Sequence, residues 1–294
     1  MFQLRQSFLL FLTASIWGSG FVAQSVGMDH VTPFTFTFFR TLIGALFLLP
    51  FIALIKALYK NKVKEKSYTT KDLLIGSASC GLFLIMGESF QQYGLVTTDA
   101  GKTGFITSMY IIFVPLISIT VGKKINRFIW IGVILAVIGM YLLCIKQDFT
   151  IERGDLLILC CAVAFAFHIM VIDHFVKTID GVMLACGQFF MASFMGLILM
   201  LIFDFNTLSY DSLMAAAPAM LYAGIMSNGI AYTLQVVGQR GINPAVATLI
   251  LSLESVMAVI FGITFLNESL DTRELIGCVL MFLAVIIAQY PFKK

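Results

Sequence analysis

The sequence predicts an all-α integral membrane protein with ten transmembrane helices, arranged as two inverted five-helix repeats. Three observations predict it. The chain of 294 residues is 60% hydrophobic and 12% charged, with a mean hydropathy of +0.96. A soluble domain carries about 25% charged residues, so there is too little charge here to cover a water-facing surface. The apolar runs divide into segments of about 20 residues, the length that spans a hydrocarbon core. The second half repeats the first at an offset of 144 to 145 residues.

Backbone polar groups cannot go unpaired in lipid, so runs this long must be helices, and the strand-period alternation of a barrel is absent. The first span, 7–26, follows Arg5 much as a signal peptide would. It is longer than a typical signal core and ends without a clear small-residue cleavage pattern, so it reads as a retained helix. The second, 33–55, carries Arg40, and a lysine-rich connector, 56–72, follows it. The third is 73–95, the fourth 101–121 and the fifth 127–145. The sixth, 154–173, contains His168 and ends at Asp173-His174. The seventh is 181–203, the eighth 213–237, the ninth 244–266 with Glu254 near its middle, and the tenth 273–290.

Lysine and arginine placement orients these spans. One set of loops holds Arg5, Lys56, Lys60, Lys62, Lys64, Lys66, Lys71, Lys123, Lys124, Arg127, Lys177, Arg240, Lys293 and Lys294, which is 14 of the 19 basic residues. The other set holds four: Lys102, Lys146, Arg153 and Arg273. The contrast predicts a multi-pass protein of the plasma (inner) membrane with both termini cytoplasmic. It also supports the span count, because one missed helix would flip every later loop.

The repeat is visible in three stretches. Ala100-Gly101-Lys102-Thr103 answers Pro244-Ala245-Val246-Ala247. Thr107-Ser108-Met109 before Tyr110 answers Leu251-Ser252-Leu253 before Glu254. Gly132-Val133-Ile134-Leu135 and Gly139-Met140-Tyr141-Leu142 answer Gly277-Cys278-Val279-Leu280 and Ala284-Val285-Ile286-Ile287. The halves divide as 1–148 and 149–294. Five spans is an odd number, so the second half enters from the opposite side. Inverted halves are typical of secondary transporters, which exchange inward-open and outward-open shapes around a central site.

The five-plus-five layout, Trp17-Gly18 in the first span, Phe39-Arg40 in the second and the run Thr107 to Pro115 in the fourth together resemble EamA-type members of the drug/metabolite transporter superfamily. So does Phe265-Leu266-Asn267-Glu268-Ser269-Leu270 before the last span. The likeness covers essentially the whole chain, with two departures. Lys123-Lys124 replaces the acidic turn in the first repeat, and Glu254-Ser255 stands where many members have a residue followed by proline. The resemblance implies ten helices, a central cavity and export of small metabolites, and leaves the metabolite open.

Ionisable residues inside a bilayer face a cavity or a partner. Arg40 and Glu88 each lie about 10 Å from the outer membrane edge at 1.5 Å per residue, so they can pair, as a lock between helices or as a solute contact. Glu254 can bind a proton or a cationic group, pair with a base such as His168, or act as a protonated packing group. Its repeat partner Tyr110 lies at a similar depth. Polar stripes occur at Thr13, Trp17 and Gln24, at Glu88, Gln91 and Gln92, at Thr103, Thr107 and Tyr110, and at Asn228, Tyr232 and Gln235. Several such stripes suggest a wet cavity, although each can also bond helix to helix. The candidate path residues are Trp17, Arg40, Glu88, Gln92, Tyr110, His168, Asn228, Tyr232 and Glu254. For His168 a packing role competes with a pH-sensitive one.

Other chemistries find no support. The six cysteines form no CxxC pair and have no zinc-ligand spacing. Gly18-x-Gly20-x-x-Ala23 follows no strand and reads as helix-packing glycine rather than a nucleotide loop. No P-loop is present, so no cofactor or ATP engine is expected, and a gradient of protons or solute is the expected drive. A net charge of +3 is too mild for nucleic acid. The expected partners are a small-molecule solute, membrane lipid and protons. Gly132, Gly139 and Gly277 could pack within the chain or in a homodimer. Two alternatives stand beside a transporter: a membrane scaffold or sensor, which would need no midplane polar groups, and a lipid-modifying membrane enzyme, which would need carboxylates or histidines clustered at one interface.

Overall fold

A computed structural model of the chain describes residues 2–58, 68–98, 100–145, 151–266 and 271–289. Lys60, Lys62, Lys64, Lys66, Lys146, the Asn267-Glu268 turn, Lys293 and Lys294 lie outside the described residues. The elements are α1 (Phe2–Met28), α2 (Pro33–Leu58), α3 (Thr70–Leu95), α4 (Ala100–Thr107), α5 (Tyr110–Thr120), α6 (Arg127–Cys144), α7 (Arg153–Phe175), α8 (Gly181–Phe203), α9 (Tyr210–Tyr222), a π-helical stretch (Ala223–Tyr232), α10 (Thr233–Gln239), α11 (Pro244–Leu251), α12 (Glu254–Leu266) and α13 (Thr272–Ala288). A short 3₁₀ turn, Phe205–Thr207, joins α8 to α9, and the described residues contain no strand.

Nine helical stretches among the described residues are long and apolar enough to cross a membrane, with α4–α5, α9–α10 and α11–α12 each counting as one. The chain is a multi-pass membrane protein. α13 is a further apolar helix of 17 residues. Side chains cap the helix starts and satisfy backbone N–H groups that the helix itself leaves orphaned. Thr69 and Asp72 form a reciprocal capping box on α3, as do Asp271 and Glu274 on α13. Asn126, Asp180 and Ser209 cap α6, α8 and α9.

Three stretches expected as single helices are interrupted. α4 gives way to α5 at Ser108-Met109, and α11 to α12 at Ser252-Leu253. The backbone repeats itself at the two breaks. The Ser108 N–H bonds to Gly104 O, Met109 to Ile106, Ile111 to Ser108 and Phe113 to Met109. In the second half Ser252 bonds to Thr248, Leu253 to Ile250, Ser255 to Ser252 and Met257 to Leu253. Both helices therefore tighten to i→i−3 bonding for one turn and then resume. The third interruption is the π-helical stretch. Here the Thr233 hydroxyl donates to Gly229 O at 2.7 Å and the Thr13 hydroxyl to Ala231 O at 3.0 Å. Side-chain hydroxyls thus occupy carbonyls that an α-ladder would use, and such insertions distort the ladder.

The helices pack with α6 on α13, α3 on α7 and α8, and α2 on α8. The α6–α13 seam is built on glycine. A Cβ on Gly139 would stand 2.8 Å from Gly277 O, one on Gly277 would stand 2.7 Å from Gly139 O, and one on Gly132 would stand 2.9 Å from Ala284 O. The seam these glycines form is inside the chain. At one end of the bundle Asp204 accepts from Thr32 and from the Thr35 N–H at 2.9 Å, while Asp155 pairs with Lys102 at 2.6 Å and accepts from Thr98. At the other end Asp173 pairs with Lys123 and Lys177, and Gln6 donates to Val237 O and Arg240 O.

Candidate functional site

The site begins at the two helix breaks. α12 starts at Glu254, so the carboxylate sits where the helix resumes, level with Tyr110 at the start of α5. The Ser108 hydroxyl, inside the first break, donates to Glu254 Oε1 at 3.2 Å, and the Tyr110 hydroxyl donates to the same oxygen at 3.4 Å. α1 supports this point from behind. Gly18 lies so close to α12 that a Cβ there would be 2.7 Å from Glu254 O.

Around Glu254 opens a cavity to which both halves of the chain contribute. α1 supplies Trp17, Phe21 and Gln24, α2 Arg40, α3 Gln91, and the first break Thr107 and Tyr110. α7 supplies Phe165, His168 and Ile169, the π-helical stretch Ser227 and Tyr232, α10 Gln235, and the second break Leu251 and Glu254. Five pairs of these residues are 144 positions apart: Phe21 with Phe165, Gln24 with His168, Gln91 with Gln235, Thr107 with Leu251 and Tyr110 with Glu254. The mixture of apolar walls with a few polar groups is the kind of lining a small-molecule site has.

Beside the cavity lies a buried polar relay. The Arg40 guanidinium pairs through one terminal nitrogen with Glu88 at 2.6 Å, and through the other it donates to Gln24 Oε1 at 2.8 Å. Glu88 is fully buried, and the Asn228 amide lies within its reach. The relay ties α1, α2 and α3 together, with Asn228 of the π-helical stretch beside it. Tyr232 is the aromatic hub. Its ring meets Trp17 edge-on at 4.7 Å, His168 at 5.9 Å and Phe189 at 6.1 Å.

Of the nine candidate path residues, Trp17, Arg40, Tyr110, His168, Tyr232 and Glu254 line the cavity. Glu88, Gln92 and Asn228 are buried but outside its lining. Both Gln92 amide atoms lack a hydrogen-bond partner among the described residues. The α-helical spacing i, i+4, i+7 put Asn228 with Tyr232 and Gln235. The π-helical winding turns Asn228 toward Gly44 and Glu88 instead, and brings Ser227 to the cavity. His168 bonds to Gln188 at 2.9 Å rather than to Glu254. Phe165 and Ser108 were not singled out from the sequence. Phe165 sits three residues before His168 on the same helix face, a signal that could have found it. Ser108 becomes visible only once the break is known.

The sequence profile of the EamA-like transporter family matches this chain twice, over residues 5–145 and 152–290. The chain belongs to the EamA-like transporter family. That family is part of the drug/metabolite transporter superfamily. An uncharacterized transporter of Archaeoglobus fulgidus is 35% identical over 283 residues, covering 95% of this chain and 84% of the relative. The uncharacterized transporter YoaV of Bacillus subtilis is 26% identical over 286 residues, covering 95% and 94%. A solved crystal structure superposes with a TM-score of 0.75 at 16% identity, over 97% of this chain and 96% of the other, which is a likeness of fold. The EamA-like match and the names of these relatives point to a membrane transporter rather than an enzyme.

Proposed function

We propose that this EamA-like chain is a secondary active transporter that exports a small organic metabolite, amino acids or similar, across the plasma membrane by alternating access. Its working units are two five-helix halves, 1–148 and 149–294, ten spans in all with α13 as the last. One observation carries the reading. The α4–α5 and α11–α12 breaks have the same hydrogen-bond pattern, and they meet at one polar cavity to which both halves contribute. Discontinuous helices at a repeat interface are where transporters hold solute. The contacts across α6–α13 support a two-fold relation. Gly132 meets Ala284 and Gly139 meets Gly277, and in the sequence alignment Gly132 is equivalent to Gly277 and Gly139 to Ala284. The equivalence therefore turns the Gly132–Ala284 contact into the Gly277–Gly139 contact, as a two-fold axis requires. The basic loops support cytoplasmic termini.

The test starts by comparing metabolites retained and released by cells with and without the protein. A metabolite released only with the protein is then measured in proteoliposomes under a pH gradient. Glu254→Gln and Glu88→Gln are expected to slow its movement and flatten its pH dependence. Full, still pH-dependent transport in both variants would remove the two carboxylates from the mechanism.

A further inference from the structure

Two corners of the cavity are built alike and charged differently. At one, Arg40 of α2 donates to Gln24 Oε1 of α1 at 2.8 Å. At the other, His168 of α7 and Gln188 Oε1 of α8 share a hydrogen bond of 2.9 Å. His168 follows Gln24 by 144 positions, and Tyr232, set against the His168 ring at 5.9 Å, follows Glu88 by 144. A neutral bridge between neighbouring helices therefore suffices at the second corner. The first corner holds a guanidinium, the one Lys or Arg among the described residues that line the cavity. A guanidinium carries five N–H groups. One terminal nitrogen of Arg40 serves Glu88 at 2.6 Å and the other serves Gln24, while the Nε–H has no partner among the described residues. The residue is only 1% exposed. A buried N–H of this kind calls for an acceptor, and an ionised acceptor makes the strongest bond.

Charge decides what that acceptor is attached to. Arg40 and Glu88 are neutral as a pair, so a bare anion would leave this corner with an uncancelled negative charge away from water, which is costly. Glu254, a carboxylate on the same cavity wall, acts against a bare anion in the same sense. A solute that carries its own ammonium adds no net charge. The cavity also has apolar walls, at Phe21, Phe165, Ile169 and Leu251.

We propose that Arg40 anchors the carboxylate of a zwitterionic amino acid with an apolar side chain, and that Glu88 is the positioning residue that holds the guanidinium in place. This assignment rests on the transporter reading and narrows its solute to zwitterions.

Three ligands with one carbon skeleton and different charge test this: leucine, isoamylamine, which lacks the carboxylate, and 4-methylpentanoate, which lacks the amine. The full chain carries Trp130→Phe, so that Trp17 is the sole tryptophan and its fluorescence reports the cavity. Leucine is expected to bind at least about tenfold more tightly than either analogue. In Arg40→Met/Glu88→Leu, which strands no charge, its advantage over isoamylamine is expected to vanish. Loss of Glu88 by itself would favour a carboxylate, so that change belongs to Arg40. Should the double variant not unfold cooperatively, Gln24→Leu decides in its place. It frees a second Arg40 donor and is expected to tighten leucine roughly threefold while leaving isoamylamine unchanged; a bridge that only packs would weaken both alike. Equal or tighter binding of either analogue, no binding of leucine, an advantage that survives in the double variant, or no such split in a deciding Gln24→Leu would overturn the proposal. Vesicle transport separates the two readings. Leucine that binds with this ranking but does not cross leaves the anchor standing without transport. A metabolite that crosses as fast in the double variant as in the parent leaves transport standing without the anchor.

Discussion

Charged side chains within apolar runs were the most legible feature of the sequence, because each must find a partner or water. Arg40 and Glu88 were expected at one depth, and they meet at 2.6 Å in a fully buried pair. Removing one member of a buried pair leaves the other charge stranded, at a cost of about 3–5 kcal/mol. Arg40→Met is therefore expected to lower the thermal stability of the detergent-solubilised protein strongly. The double variant Arg40→Met/Glu88→Leu should recover most of the loss, because a well-packed apolar pair of similar volume is often neutral. Equal loss in the single and double variants would mean that the pair contributes by packing rather than by charge. At Glu254 the partners could not be read. A carboxylate in an apolar run does not reveal whether a base or a hydroxyl will meet it, and Ser108 reaches it only because the first helix breaks there.

At the scale of elements, span positions were legible and interruptions were not. An apolar segment reads the same whether its backbone closes i→i−4 bonds throughout or tightens for one turn. Ser252 gives a faint local sign, with its hydroxyl donating to Leu249 O at 2.9 Å, since a serine inside a helix can compete for backbone carbonyls. At the π-helical stretch Thr233 is a local sign, bonding four residues back to Gly229 O, but the other hydroxyl, Thr13, lies 218 residues from the carbonyl it occupies, so the local sequence carries only part of the signal. The glycine seam between α6 and α13 gives a direct prediction. Gly139→Leu or Gly277→Leu must drive side-chain atoms into facing backbone and is expected to cost about 1–3 kcal/mol. Gly20→Ala is the control. Nothing approaches its Cβ nearer than 3.9 Å, and alanine has the higher helix propensity, so stability should hold or rise slightly. Thermal melts of the three variants in one detergent check both statements. A destabilised Gly20→Ala beside an intact Gly139→Leu would contradict the packing.

At the scale of the whole molecule, the proposal of two halves rests on length, loop charge and an offset of about 144 residues, which agree. The account's central claim is that these halves exchange access to the Glu254 cavity between the two ends of the bundle. Spin labels test it most directly. One pair joins Val96 to Tyr210 at one end, and a second joins Val121 to Arg240 at the other; all four are exposed. Each pair spans the two halves, and none of the four lines the cavity. Distances are measured in lipid at high and low pH, with and without transported solute. The account predicts that one distance shortens as the other lengthens. Two distances that stay fixed, or that change in the same sense under every condition, would contradict it.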